Sequence, residues 1–253
     1  MSYFSIRTTC CVVLATLVAP TGAQFLALGH DPQRPEGALP VVRSFKCEGA
    51  SMLEALLLLG QQEHVPLGIE YLDLEAVQKP ISVNLHQTTF AEALKRILSN
   101  GKGYSWQLEG RVVTVGHGGV RQKTALNRVL PEFSIPKCSV QEANNALWMT
   151  LYNQLHPQVR GTLGDYNPGN FRYLLWPLKM HNASVREILN RLVSERVDAA
   201  WVVQVPSDHL IQLPPEGLWR IIEYDVPDLR QEIEAVRQSL SAYGPPPAAR
   251  DAD

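Results

Sequence analysis

The chain has no excess of either charge and, after its N-terminal segment, no long apolar run. Its 23 lysines and arginines are balanced by 25 aspartates and glutamates, and like charges do not cluster. Because nucleic-acid binding needs a basic stripe that neutralises phosphates, this balance argues against nucleic acid as a main partner and against an anionic membrane surface. No later segment supplies the roughly 20 apolar residues that a membrane-spanning helix needs.

Sequence signatures of catalysis and of metal binding are also missing. The chain contains neither Gly-x-Ser-x-Gly nor Ser-x-x-Lys with its companion motifs, and its seven histidines lack metal-ligand spacing. Gly101-Lys102-Gly103 follows a predicted helix and precedes a predicted strand, the reverse of the order in a phosphate-binding loop. We therefore predict no catalytic residue, no cofactor and no metal. The alternative is an exported enzyme (hydrolase-like) whose site is assembled from residues distant in sequence.

The N-terminal residues have the pattern of an export signal. Arg7 supplies a positive charge, residues 10–18 form a short apolar stretch, and small residues end at Ala23 before Gln24. We predict a signal peptide that is cleaved near Ala23, and a periplasmic or secreted protein without a transmembrane segment after its removal. A buried N-terminal helix or strand is the alternative interpretation of the apolar stretch.

Removal of the signal leaves two of the four cysteines, Cys47 and Cys138. Each lies shortly before the first predicted helix of its half of the chain. An oxidising compartment permits a disulfide between them, which would constrain the unfolded chain by roughly 4 kcal/mol in the entropy model. Two separate buried thiols are the alternative. No Cys-x-x-Cys accompanies either residue, so a zinc site is not expected.

One short phrase occurs four times: Ser or Thr, an apolar residue, any residue, Glu, then Ala or Ile. The copies begin at Ser51, Thr89, Ser139 and Ser184. Each has the form of a capping box, in which the hydroxyl accepts a backbone N–H three residues on and the Glu reaches back. Since each copy opens an amphipathic run, the phrase predicts four helices within a repeated unit.

Alternating apolar and polar residues predict the strands between these helices. Leu67 to Tyr71 reads as a half-buried strand, and Tyr104 to Leu108 reads as one arm of a hairpin that turns at Glu109-Gly110. In the second half, Ala200 to Val205 and Leu210 to Leu213 predict another hairpin. Trp106 and Trp201 then fall at corresponding places, which indicates a duplication.

These patterns predict an α+β protein with two tandem β-α-β-β-α-β-β units, each with two helices packed on short mixed sheets, and a C-terminal helix. The predicted divisions are a signal peptide at 1–23, a flexible leader at 24–40, a first domain at 41–117, a linker at 118–131, a divergent second domain at 132–215, an extension with a helix at 216–242 and a disordered tail at 243–253.

Residues 50–116 resemble the secretin and TonB short N-terminal domain. The resemblance is carried by the segments Ser51–Leu56, Ile81–Leu85, Thr89–Leu94 and Tyr104–Gly110. It implies a periplasmic module that forms rings or relays signals, and a protein partner such as an outer-membrane or secretion component. The family motif contains no catalytic residues. We expect no outer-membrane barrel in this polypeptide, because no run of strands long enough for one is present.

Two kinds of surface are candidates for contact with a partner. Exposed sheet edges recruit further strands through their unpaired N–H and C=O groups. The loop at residues 156–170 is an insertion relative to the first half and carries Arg160 and Tyr166, two residue types that often anchor interfaces. A merely tolerated loop is the alternative for this insertion.

Overall fold

The computed structural model describes residues 38–70, 78–117, 125–155, 157–158, 174–175, 177–195, 199–203, 219–224 and 229–242. The predicted signal peptide, most of the leader and the C-terminal tail lie outside these residues and stay predictions.

Five α-helices and eleven strands occur within the described residues, so the α+β class is confirmed. The helices are α1 (Met52–Glu63), α2 (Phe90–Leu98), α3 (Val140–Leu155), α4 (Val185–Ser194) and α5 (Leu229–Ala242). The strands are β1 (Val41–Ala50), β2 (Leu67–Glu70), β3 (Ile81–Thr89), β4 (Tyr104–Glu109), β5 (Val112–His117), β6 (Val129–Ile135), β7 (Cys138–Ser139), β8 (Leu174–Leu175), β9 (Leu178–Ser184), β10 (Ala199–Val203) and β11 (Trp219–Glu223). A 3₁₀ turn covers Ala125–Asn127.

A five-stranded mixed sheet, ordered β11-β10-β2-β5-β4, lies at the centre of the fold. Strand β2 runs parallel to both of its neighbours, β10 and β5, while the outer pairs are antiparallel. The sheet therefore joins strands from both halves of the chain. The expectation that each half packs on sheets of its own is wrong for this sheet, because β2 and β10 pair across the predicted boundary.

Helices cover both faces of this central sheet. On one face, Leu67, Ile69 and Val202 join a core cluster with α1, α2 and α5. On the other face, Trp201 and Val203 join a second cluster with α3 and α4. Successive side chains of a strand point to opposite faces, so β2 is buried on both sides. The prediction of a half-buried strand is wrong for these residues, and Tyr71 lies outside the described part.

Two smaller sheets, β1-β3 and β6-β9, have matching geometry. Val41 pairs with the helix cap Thr89, and Val129 pairs with the helix cap Ser184. In both sheets the first helical N–H donates to the carbonyl of the residue before the first strand, over 3.1 Å in the first half and 3.0 Å in the second. The burial pattern of the first seven residues is also identical in β1 and β6.

The same numbering offset relates Val41 to Val129, Phe45 to Phe133 and Ser51 to Ser139. These matches support the predicted duplication, which remains a prediction as a tandem arrangement of whole domains.

The four predicted caps all accept the expected bond from the backbone N–H of the Glu three residues on. The distances are 3.2 Å at Ser51, 3.1 Å at Thr89, 3.1 Å at Ser139 and 3.2 Å at Ser184. The reciprocal bond completes the capping box at α3 and α4, where the Ser139 and Ser184 backbone N–H groups donate to the glutamates over 2.7 and 2.6 Å. The caps thus start each helix where the sequence predicts.

The β4–β5 hairpin turns one residue later than predicted. Glu109 pairs with Val112, so Gly110 and Arg111 form the turn. Gly110 has φ +64°, which suits the first central position of a type II′ turn.

The predicted second hairpin is also revised. The antiparallel neighbour that the structure gives to β10 is β11, whereas Leu210–Leu213 lies outside the described residues. The segment predicted as part of a C-terminal extension therefore supplies an edge strand of the central sheet.

The C-terminal helix α5 confirms the prediction of a helix after Pro227. Its Leu229 and Ile233 are buried in the core cluster that contains α1. Tyr224, which directly follows β11, donates its hydroxyl proton to the Val65 carbonyl over 3.1 Å. The C-terminal segment is thereby attached to the first half of the chain.

Candidate binding groove

The possible disulfide between the two remaining cysteines is not formed. Cys47 and Cys138 are free thiols, buried in two different core clusters. The offset that matches the two first strands places Ile135, not Cys138, at the position of Cys47. Burial raises the pKa of both thiols above the ordinary value. The alternative of two separate buried thiols is the one that the structure shows.

The described residues offer neither a metal cluster nor a helix suited to crossing a membrane. No three His, Cys, Asp or Glu side chains among them could hold a metal ion. None of their helices combines the length and the apolar character of a membrane span. Arg160 and Tyr166, the predicted partner-contact residues, lie outside the described part of the chain and stay predictions.

The candidate site is a groove of about 600 Å³ between helix α2 and the edge strand β4. It is lined by Thr89, Ala91, Glu92, Lys95, Leu98, Ser99, Gly101, Tyr104, Ser105 and Trp106. The half-buried Trp106 also packs against the first core cluster, and this contact fixes the position of its indole. The groove therefore combines a fixed aromatic wall with a helix wall of mixed character.

One side of β4 has no strand beside it among the described residues. Glu109 and Val112 flank a two-residue turn and so form a hydrogen-bonded pair. Because such pairs alternate in antiparallel strands, Trp106 and Leu108 direct their N–H and C=O groups away from β5 and toward this open side. The same edge that opens onto the groove thus presents backbone donors and acceptors.

The charges on the groove's helix wall are partly matched. The Glu92 carboxylate lies 4.0 Å from Lys95 Nζ and 3.5 Å from Arg96 Nε. All three side chains are substantially exposed, so these pairs contribute little to stability. Of these three residues only Glu92 and Lys95 line the groove, so the two charges on its helix wall are opposite and compensate each other.

A second polar arrangement connects α4 to the strand β2. The Arg186 guanidinium donates from Nε to Glu70 Oε1 over 2.7 Å and from Nη2 to Oε2 over 2.9 Å. Its Nη1 donates to the Asn127 amide oxygen. The Glu70 side chain is 1% exposed and that of Arg186 is 14% exposed. This buried pair joins the two halves of the chain.

One helical turn further along α4, Asn190 makes a second connection. Its amide nitrogen donates to Glu109 Oε2 over 2.7 Å, and its amide oxygen accepts from Trp201 Nε1 over 2.9 Å. Helix α4 therefore contacts β10, β2 and β5 together and fixes strands from both halves beneath it.

Sequence reasoning missed the pairing of β2 with β10, although one signal of it was present. Gly68 interrupts an apolar strand, and a glycine inside a strand often marks close approach of another group. Gly68 lies opposite Trp201, and a Cβ at this position would overlap the indole. Because Gly68 has no side chain, the Trp201 indole can occupy the space beside it.

Comparison of the chain with protein-family models, with curated proteins and with solved structures gave no match.

Proposed function

We propose that the protein is a non-enzymatic adaptor that binds an extended segment of a partner protein at the open edge of β4. The observation that carries this proposal is the coincidence of two features: backbone groups of Trp106 and Leu108 face the open edge, and the groove between α2 and β4 lies beside the same strand. Strand addition takes affinity from the main chain and specificity from such side-chain pockets.

The predicted N-terminal signal supports a location in the periplasm or outside the cell for this adaptor. The resemblance of residues 50–116 to the secretin and TonB short N-terminal domain is consistent with this proposal, since that family acts through protein contacts. An outer-membrane or secretion component is the partner that the resemblance suggests. The insertion with Arg160 and Tyr166 is the second proposed contact surface.

Site-specific cross-linking tests the proposal. A photoreactive amino acid at Ser105, on the exposed side of β4, should cross-link an envelope protein when the mature chain is incubated with native envelope extract. The same group at Lys46, an exposed residue of β1, is the control position. Mass spectrometry should place the cross-link within one extended segment of the captured protein.

A groove-filling variant makes this experiment specific. Ala91→Phe places a ring in the groove, whereas Arg96→Phe places the same ring on a neighbouring α2 position that does not line it. Cross-linking should be lost with Ala91→Phe and kept with Arg96→Phe. Equal cross-linking with both variants, or loss only after deletion of residues 160–169, would overturn the assignment to the β4 edge.

A further inference from the structure

The edge of β10 that corresponds to the open edge of β4 is already occupied. Helices α2 and α4 are related by one numbering offset, and the same offset relates Trp106 in β4 to Trp201 in β10. Each tryptophan is the third residue of its strand, and each strand has an antiparallel neighbour on one side, β5 or β11. On its other side, β10 pairs with β2 in parallel, whereas β4 has no described strand there.

The helices differ in the same way. Helix α4 contacts β10 and also β2, the strand added at the edge of β10. Helix α2 contacts β4, and the groove lies between them, beside the edge of β4 that has no described neighbour. We infer that the second half contains the occupied form of a groove that no described strand fills in the first half.

The occupied form shows what the groove selects. Gly68 of β2 lies beside Trp201, and any Cβ there would overlap the indole. Two residues later on the same face, Glu70 binds Arg186 of α4. The docked strand β2 therefore runs parallel to β10 and has a glycine beside Trp201. Its next side chain on the same face, Glu70, contacts helix α4.

We propose that the α2–β4 groove binds an extended segment of a partner protein, parallel to β4, with glycine or alanine opposite Trp106. This proposal rests on the proposed function and specifies its ligand. The tryptophan is the specificity-determining residue, because its indole limits the size of the side chain placed against it.

Helices α2 and α4 carry different residues at two corresponding positions, and these differences determine which side chains the ligand should have. The position of Arg186 in α4 is held by Ala91 in α2, and the position of Asn190 is held by Lys95. Ala91 leaves space and no charge, so the ligand residue two positions after the glycine is an aliphatic one such as valine. The flanking ligand residues face the same side as Ser105 and Gln107, which are exposed, and polar residues are accepted there.

The other described edge strand of the central sheet, β11, does not meet these requirements in a second copy of this chain. Strand β11 has the sequence Trp-Arg-Ile-Ile-Glu and contains no small residue to place against Trp106. We take the occupant to be a segment of another protein, and self-association of this chain is one outcome of the test below.

Two labelled peptides test the proposal on the full mature chain. The first is fluorescein-Thr-Val-Thr-Gly-Thr-Val-Thr, and the second replaces its glycine by valine. Fluorescence anisotropy should show the glycine peptide binding the wild type about tenfold or more tightly than the valine peptide, because the extra side chain overlaps the indole. Trp106→Ala should remove this difference by tightening binding of the valine peptide, and Trp201→Phe, with Trp106 intact, should keep it.

The outcomes separate the specificity proposal from the proposed function. Equal binding of both peptides to the wild type, abolished by Ala91→Phe, would overturn the glycine requirement and leave strand addition standing. Binding of neither peptide, or binding insensitive to Ala91→Phe, would overturn both. A photoreactive group on the peptide N-terminus should label the Tyr104 end of β4; labelling at the Leu108 end would overturn the parallel orientation. Concentration-dependent self-association that Ala91→Phe abolishes would make a second copy the occupant and overturn the proposal.

Discussion

Arg186 binds the Glu70 carboxylate through two hydrogen bonds, and the two residues belong to different halves of the chain. Both side chains are largely buried, and each compensates the charge of the other. The pair fixes α4 over β2 and with it the register in which the two halves share a sheet.

Removal of one partner of this pair should be strongly destabilising. We expect Arg186→Met to lower the free energy of unfolding by about 3–5 kcal/mol, because the buried Glu70 carboxylate loses both of its hydrogen bonds to the guanidinium. Double replacement with Glu70→Leu should recover most of this loss, since no buried charge then remains. Urea unfolding followed by circular dichroism measures both. Lys46→Gln, which breaks the exposed pair with Glu48, is the control and should change stability little.

The two halves should unfold together. Leu94 and Leu189 are fully buried at corresponding positions of α2 and α4, and alanine at either should cost about 2–5 kcal/mol. Because the central sheet contains strands of both halves, either variant should shift one common transition. The exposed Val129→Ala is the control. Two transitions in calorimetry, each moved by only one variant, would contradict the shared sheet.

The capping glutamates should make stability fall in acid. The Ser139 backbone N–H and then its hydroxyl hold the pKa of Glu142 below its ordinary 4.5, and Ser184 does the same for Glu187. A carboxylate with a lowered folded-state pKa stabilises fully above its unfolded value and loses this contribution as pH falls through the folded value. We therefore expect the thermal midpoint to decrease as the pH is lowered below about 4.5.

Replacement of both capping glutamates isolates this effect. Glu142→Gln with Glu187→Gln should flatten the decline of the thermal midpoint in acid, because glutamine keeps the size of the side chain but does not titrate. An unchanged pH profile in the double variant would show that other groups dominate acid unfolding.

The two cysteines beyond the predicted signal should be unreactive in the folded protein. Burial raises the pKa of the Cys47 and Cys138 thiols, so little thiolate is present near neutral pH. Iodoacetamide labelling followed by peptide mapping should modify both only after denaturation. A reductant should leave the thermal midpoint unchanged. Recovery of a peptide that links Cys47 to Cys138 would contradict the structure.

The local structure was largely predictable because its causes lie close together in sequence. The caps at Ser51, Thr89, Ser139 and Ser184 place four helix starts correctly, since a capping box needs only four consecutive residues. The apolar alternation of Ile81, Val83 and Leu85 likewise matches their burial.

The shared sheet was not predictable in this way. The pairing of Gly68 with Trp201 joins distant residues, and period-two patterns do not name a strand's neighbour. The same limitation hid the candidate groove. Its wall residues could be assigned to α2 and β4, but the open side of β4 depends on which strands pair elsewhere.

The position of β2 also sets the order in which the chain can finish folding. A chain that emerges from its N-terminus presents β2 long before residues 199–203 arrive to cover its second edge. During this interval the unpaired N–H and C=O groups of this edge can pair with other strands, and Glu70 lacks its later partner Arg186. Closure between such distant segments is intrinsically slow. We therefore expect the first half to aggregate through β2 when it is produced alone. The second half prevents this aggregation, because β10 pairs with the exposed edge of β2.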